Sequence, residues 1–187
     1  MSAERAPVRK RSYRNQQSYD LSLLSYQYLG VDLFSIDGVS HATAISFISE
    51  VGLDIFKFPS AKHFVSWLRL SPNNKISGGK LLSSRTPKGK HPLALVLRNA
   101  ANTIGMMKEG ALKNFFSRIA YKKGRAAAIT ATARKLAAII WHMVTKQQPF
   151  LRTDESSYKE KIKTNTIREM RKKMKKLGLT INDLQVS

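Results

Sequence analysis

The sequence predicts an all-α fold, and three observations lead there. Apolar residues recur at helical spacing through most of the chain, no segment shows a competing strand signal, and Gly, Pro, Ser and Asp punctuate the periodic stretches. "DLSLLSYQYLGVDLFS" from residue 20 is apolar enough to pack as helix. After a tight turn at Asp37-Gly38, Ala42, Ile45, Ile48 and Val51 recur three apart and predict a short helix with that face inward. In "FPSAKHFVSWLRL", Ser60 is the expected N-cap, with Phe64, Trp67 and Leu68 on one face. "PLALVLRNAANTIGMMK" carries proline in its first turn, where a missing N–H costs nothing, and "GALKNFFSRIAYKKG" forms a shorter helix. The clearest periodicity lies in "RAAAITATARKLAAIIWHMVTK", where Ile129, Ala133, Leu136, Ala137, Ile140 and Val144 trace one buried stripe. These segments divide the chain into a flexible basic arm (1–17), a helical domain (18–152) and a helical tail (153–187) whose helix, roughly 156–177, stops at Gly178 behind a cationic last turn.

The 187 residues carry a formal net charge of +21. That excess exceeds what solubility requires and points to a polyanionic partner, nucleic acid first, although a basic ribosomal-type composition would give the same total. From Ile55 to Thr153 the single acid Glu109 stands against nineteen Lys or Arg, so the middle of the chain holds the polyanion-facing surface. There is no cysteine, and the four histidines are scattered singly, which leaves neither disulfides nor a metal-ligand motif. No apolar run is long enough to span a bilayer and the first residues lack a signal-peptide core, so the expected location is cytoplasmic, with no membrane partner.

Two stretches carry candidate chemistry. The turn Gly38-Val39-Ser40 resembles a helix-hairpin-helix, in which backbone N–H groups hold a DNA phosphate without reading bases. Gly38 also reads as a plain interhelical turn residue, and the two readings separate by experiment. A valine there would weaken DNA binding more than folding in the first case and would unfold the chain in the second. The second stretch, "KISGGKLLSSRTPKGKHP", places Ser77, Gly78 and Gly79 among Lys75, Lys80, Arg85, Lys88 and Lys90. Glycines let the backbone approach a phosphate and the cations neutralise its neighbours, with Arg98 on the following helix joining the same DNA-facing set. A serine here either donates a hydrogen bond to phosphate or attacks phosphorus; attack needs a proton acceptor, for which only His91 is near in sequence. From the chemistry alone, a loop or a phosphate-binding site comes before catalysis.

The run from "GVDLFSIDGVSHATAISFISEVG" through "FPSAKHFVSWLRLSPNNKISGGKLLSSR" to "AITATARKLAAIIWHMV" resembles the C-terminal domain of the IS110/IS116/IS902 family of insertion-sequence transposases. The resemblance extends from about residue 18 to near 180. It implies that Ser77 is the nucleophile of a DNA strand-transfer reaction proceeding through a covalent phosphoserine, with a guide RNA as an additional partner where the element encodes one. It also implies an N-terminal RNase H-like domain whose four acidic residues bind Mg²⁺. That domain has no counterpart in this sequence, so no cofactor is expected within the chain, and the chain reads as the second half of a transposase. Complementation by a separate domain would make it an enzyme; a non-catalytic remnant able to form mixed assemblies with full-length copies, or a homo-oligomer, is the alternative, and a structural RNA-binding protein is a third reading. Two local departures stand out: Arg69-Leu70-Ser71-Pro72 replaces Gly-Leu-Cys-Pro, and Ser40 replaces a frequent glycine.

Overall fold

A computed structural model of the chain describes residues 20–87, 89, 91–151 and 155–178. The arm at 1–17 and the residues after Gly178 lie outside that set. Helices α1 (Leu21–Leu29), α2 (His41–Glu50), α3 (Ala61–Trp67), α4 (Pro92–Met106), α5 (Ala111–Lys123) and α6 (Arg125–Lys146) build one compact unit that ends at Leu151, and α7 (Glu155–Lys176) belongs to a second unit beginning at Arg152. Two 3-10 turns, Leu33–Ser35 and Gly52–Lys57, bracket α2.

The fold is mostly helical rather than all-α. Strands β1 (Lys75–Ser77) and β2 (Lys80–Ser83) pair antiparallel as a hairpin inside the segment expected to be a loop. The reason is local. Gly78 and Gly79 have φ of 54° and 72°, and positive φ at both central residues is the condition for a two-residue turn whose twist matches the flanking strands.

Local sequence explains most helix ends. Asp20 caps α1, its Oδ1 accepting from the N–H groups of Ser22 and Leu23 at 3.0 and 3.1 Å. Gly30 closes that helix with φ 74°. Ser60 occupies the N-cap of α3, but its hydroxyl is 2.8 Å from His63 Nδ1 and makes no bond to the helix backbone. Pro92 opens α4 as expected. The α6 stripe is core throughout: Ala133, Leu136, Ala137, Ile140 and Val144 are buried, with Ile129 half-buried at its edge.

Helix α6 is the centre of the domain, packing against α3, α4 and α5, while α2 also packs on α4. Phe47, Phe64, Leu97 and Leu136 are fully buried between these layers, and each contributes roughly 1.5–3 kcal/mol of apolar burial. Side-chain bonds lock distant parts together. Trp141 Nε1 donates to the Phe58 carbonyl at 3.3 Å, and Gln147 Nε2 bridges the carbonyls of Leu29 and Val144 at 3.0 and 2.7 Å, joining the ends of α1 and α6. One face differs from the sequence expectation. In α2 the buried residues are Thr43, Ala44 and Phe47, while Ala42 and Ile45 face solvent.

Candidate functional site

The hairpin sorts its side chains by the pleat of the strands. Ser77 pairs directly with Lys80, Ile76 with Leu81, and Lys75 with Ser83, with a bulge between the last two pairs that leaves Leu82 as the extra residue. Because successive side chains alternate, Ser77 shares one face with Lys75 and Lys80, while Ile76 and Leu81 take the other. Cross-strand partners stand about 5 Å apart at Cβ, so the Ser77 and Lys80 side chains leave the hairpin side by side. No carboxylate pairs with Lys75, Lys80 or Arg85 among the described residues. Nor does a Cβ placed on Gly78 or Gly79 meet anything within 4 Å, so the turn is uncrowded where a side chain would project.

The hairpin is solvent-exposed except at half-buried Ser83, with Ile76 at 66% and Leu81 at 58%. Its open end is tied down where the Asn73 N–H donates to the Arg85 carbonyl at 2.9 Å. There Asn73, Lys75, Ser83, Arg85, Thr86 and Pro87 line a shallow concavity of about 370 Å³. Asn73 and Thr86 had no place among the sequence candidates. The signal that finds them is the hairpin itself, since a turn centred on the two glycines folds residue 73 onto residue 85. Lys88 and Lys90 lie outside the described residues.

An aromatic cluster lies where the hairpin segment joins α4. His91 is the N-cap of α4, and its ring packs edge-on against Trp67 at 4.3 Å, with Trp67 in turn 5.2 Å from Phe58. Burial lowers the pKa of His91, Glu50 opposes that shift and Arg69 adds to it. Its Nδ1 is buried without a hydrogen-bond partner, and Ser77 Oγ makes no hydrogen bond, among the described residues. The histidine therefore belongs to the packing at the helix start, and the structure does not join it to Ser77 as an acid–base pair.

Arg69 adopts φ 56°, the left-handed region that favours glycine, which accounts for glycine being the residue the family resemblance leads one to expect there. Its guanidinium lies so close to Gly89 that a Cβ there would collide with it, so one arginine spans the start and end of the loop carrying the hairpin. R69G should relieve roughly 1 kcal/mol of backbone strain and raise the thermal midpoint by about 2–4 °C. A fall in the midpoint would show that the approach to Gly89 outweighs the strain.

The Gly38-Val39-Ser40 turn is elsewhere. It follows a single 3-10 turn rather than an α-helix, and it packs against Ala100 and Ile104. By helical rise those residues are roughly 12–18 Å along α4 from Pro92, where the hairpin segment enters the helix. Val39 is fully buried and its N–H donates to the Ile36 carbonyl at 3.3 Å, which makes it a core residue rather than a phosphate ligand. Ser40 is the N-cap of α2 in a capping box with Thr43, whose Oγ1 accepts from the Ser40 N–H at 3.5 Å. Arg98 is half-buried on α4 and is not ion-paired among the described residues. Among those residues no group of three or more His, Cys, Asp or Glu could hold a metal ion. No described helix is long and apolar enough to cross a membrane.

Residues 32–117 match the model of a family described as Transposase IS116/IS110/IS902 family. That span takes in the Gly38 turn, the hairpin, α4 and the first half of α5. No curated protein matches the chain.

Proposed function

Starting from a chain that carries a transposase domain of the IS116/IS110/IS902 family, and hence a DNA-binding role in transposition, we propose that the β-hairpin is the element that engages the scissile DNA phosphate, with Ser77 as its nucleophile. The observation that carries this reading is the polar face of the hairpin, where Ser77 stands between Lys75 and Lys80 beside an unobstructed two-glycine turn. In the reaction the Ser77 Oγ–phosphorus bond forms as the bond from phosphorus to one sugar oxygen breaks. The serine proton leaves to a base, the freed sugar oxygen takes up a proton, and attack by another strand's hydroxyl reverses the step. Lys80 and Lys75 stabilise the negative charge that builds on the phosphoryl oxygens, and Arg85 with Asn73 holds a neighbouring phosphate at the hairpin base. The described residues supply no proton acceptor to Ser77 and no metal site, so strand transfer depends on groups outside them, and the chain acts in the cytoplasm with such a partner. A non-catalytic DNA-binding remnant keeps the same hairpin contacts and lacks only the chemistry.

The test is the salt dependence of duplex DNA binding by the wild-type chain and by a Lys75→Ala, Lys80→Ala, Arg85→Ala variant. Each phosphate left without its cation should lower the log–log salt slope by about 0.9. Removing three side chains should therefore flatten it by between two and three units. An unchanged slope would detach the hairpin from DNA.

A further inference from the structure

We infer that the chain has a second DNA-backbone site, at the corner where the α5–α6 turn meets the middle of α4, and that it grips duplex DNA away from the scissile phosphate. This rests on the reading of the domain as DNA-binding but not on Ser77. Helices α5 and α6 are joined by Gly124 alone, so Lys122, Lys123 and Arg125 crowd one exposed tip. The tip is fixed to α4 because Arg125 Nη2 donates to Asn102 Oδ1 at 2.7 Å, while the same guanidinium lies 5.8 Å from the centre of the Phe116 ring. One turn back on α4, Arg98 lies on the same edge as Asn102, since residues four apart share a helix face. That edge is opposite the one covered by the Gly38 turn, because Ala100 is two residues, about 200°, from both Arg98 and Asn102.

What marks this corner is the contrast with its neighbours. Three other cations of α5 and α6 are used within the fold, while Arg134 and Lys146 stand singly on α6: Lys113 donates to the Gly105 carbonyl, and Arg118 and Lys135 both lie over the Phe115 ring, at 5.8 and 4.4 Å. Burial, and then the neighbouring Arg118 charge, push Lys135 below the ordinary lysine range. Lys122 and Lys123 have no such internal use among the described residues, and no carboxylate pairs with them, Arg125 or Arg98. Like charges gathered without acids repel one another, and a polyanion removes that cost. The corner presents Lys122, Lys123 and Arg125 beside the Arg98 edge of α4, and cations of this kind hold the phosphates of a duplex backbone without reading bases.

A K122E/K123E double variant tests the inference, because both side chains are exposed and packing is untouched. Binding to a labelled duplex DNA should weaken about tenfold or more at physiological salt, with the salt slope falling by about two units. Combined with the Lys75→Ala, Lys80→Ala, Arg85→Ala hairpin variant, the losses should add, since the two sites hold separate phosphates. Unchanged affinity and slope in K122E/K123E, with the hairpin variant still impaired, would overturn the second site and leave the hairpin reading standing. The opposite pattern would sink the hairpin and keep the corner. Loss confined to a duplex RNA probe of the same length would also overturn the proposal, since it commits the corner to DNA.

Discussion

Ser77→Ala should abolish the covalent DNA–protein adduct while leaving duplex affinity nearly intact. The two roles open to this hydroxyl differ in what they predict. A serine that only donates a hydrogen bond to phosphate contributes about 1–2 kcal/mol, so its loss would weaken binding roughly five- to thirtyfold and change nothing else. As nucleophile, Ser77 contributes little to ground-state affinity, because Lys75, Lys80 and Arg85 still hold the backbone. The measurement is denaturing electrophoresis of the chain with transposon-end DNA, Mg²⁺ and a supplied acidic RNase H-like domain. The chain without the supplied domain is run in parallel, to read whether the adduct depends on that domain. Ser83 and Ser84 are the controls. Ser83 pairs with Lys75 at the open end of the hairpin, beyond the bulge, and Ser84 follows the strand, so their alanine variants should keep the adduct. An adduct from Ser77→Ala equal to that of wild type would remove Ser77 from the chemistry.

Gly38→Val has the largest expected effect on stability. Gly38 has φ 81°, and a Cβ there would stand 2.6 Å from Ile104 Cγ1 and 2.9 Å from the Ala100 carbonyl oxygen. Backbone strain contributes about 1–2 kcal/mol and overpacking against α4 about 1–3 kcal/mol more. Together these should lower the thermal midpoint by roughly 10 °C. The carbonyl cannot yield without disturbing α4, the helix that packs on both α2 and α6. DNA affinity, expressed per folded molecule, should stay close to wild type. A variant that keeps its midpoint yet loses DNA would restore the turn as a phosphate site. The structure thus favours the second of the two readings open from sequence, in which a side chain at this position costs folding.

Where sequence and structure part company, the causes are specific. A spacing of three sets the α2 register expected from sequence, but each such step falls about 60° short of a full turn, so positions 42 to 51 wander across half the helix. Ala44, Phe47, Ile48 and Val51 follow the true period and form the packed face. The β-hairpin is readable from Gly78-Gly79, but its strands are three and four residues long and bury no side chain fully, so Lys and Ser composition reads as loop.

By itself the sequence determined the helices of the core, because a long apolar period as in α6 states which face must leave water whatever covers it. It determined the charge imbalance that names the partner class, and through its motifs the family of the domain. Which neighbour covers each face was decided only by the tertiary structure. Gly38 meets α4 some sixty residues later, Arg69 reaches Gly89, and Arg125 finds Asn102 on another helix. Local spacing reports burial and turn geometry, which depend on a few adjacent residues, whereas such pairings form only when the packed helices bring remote segments together.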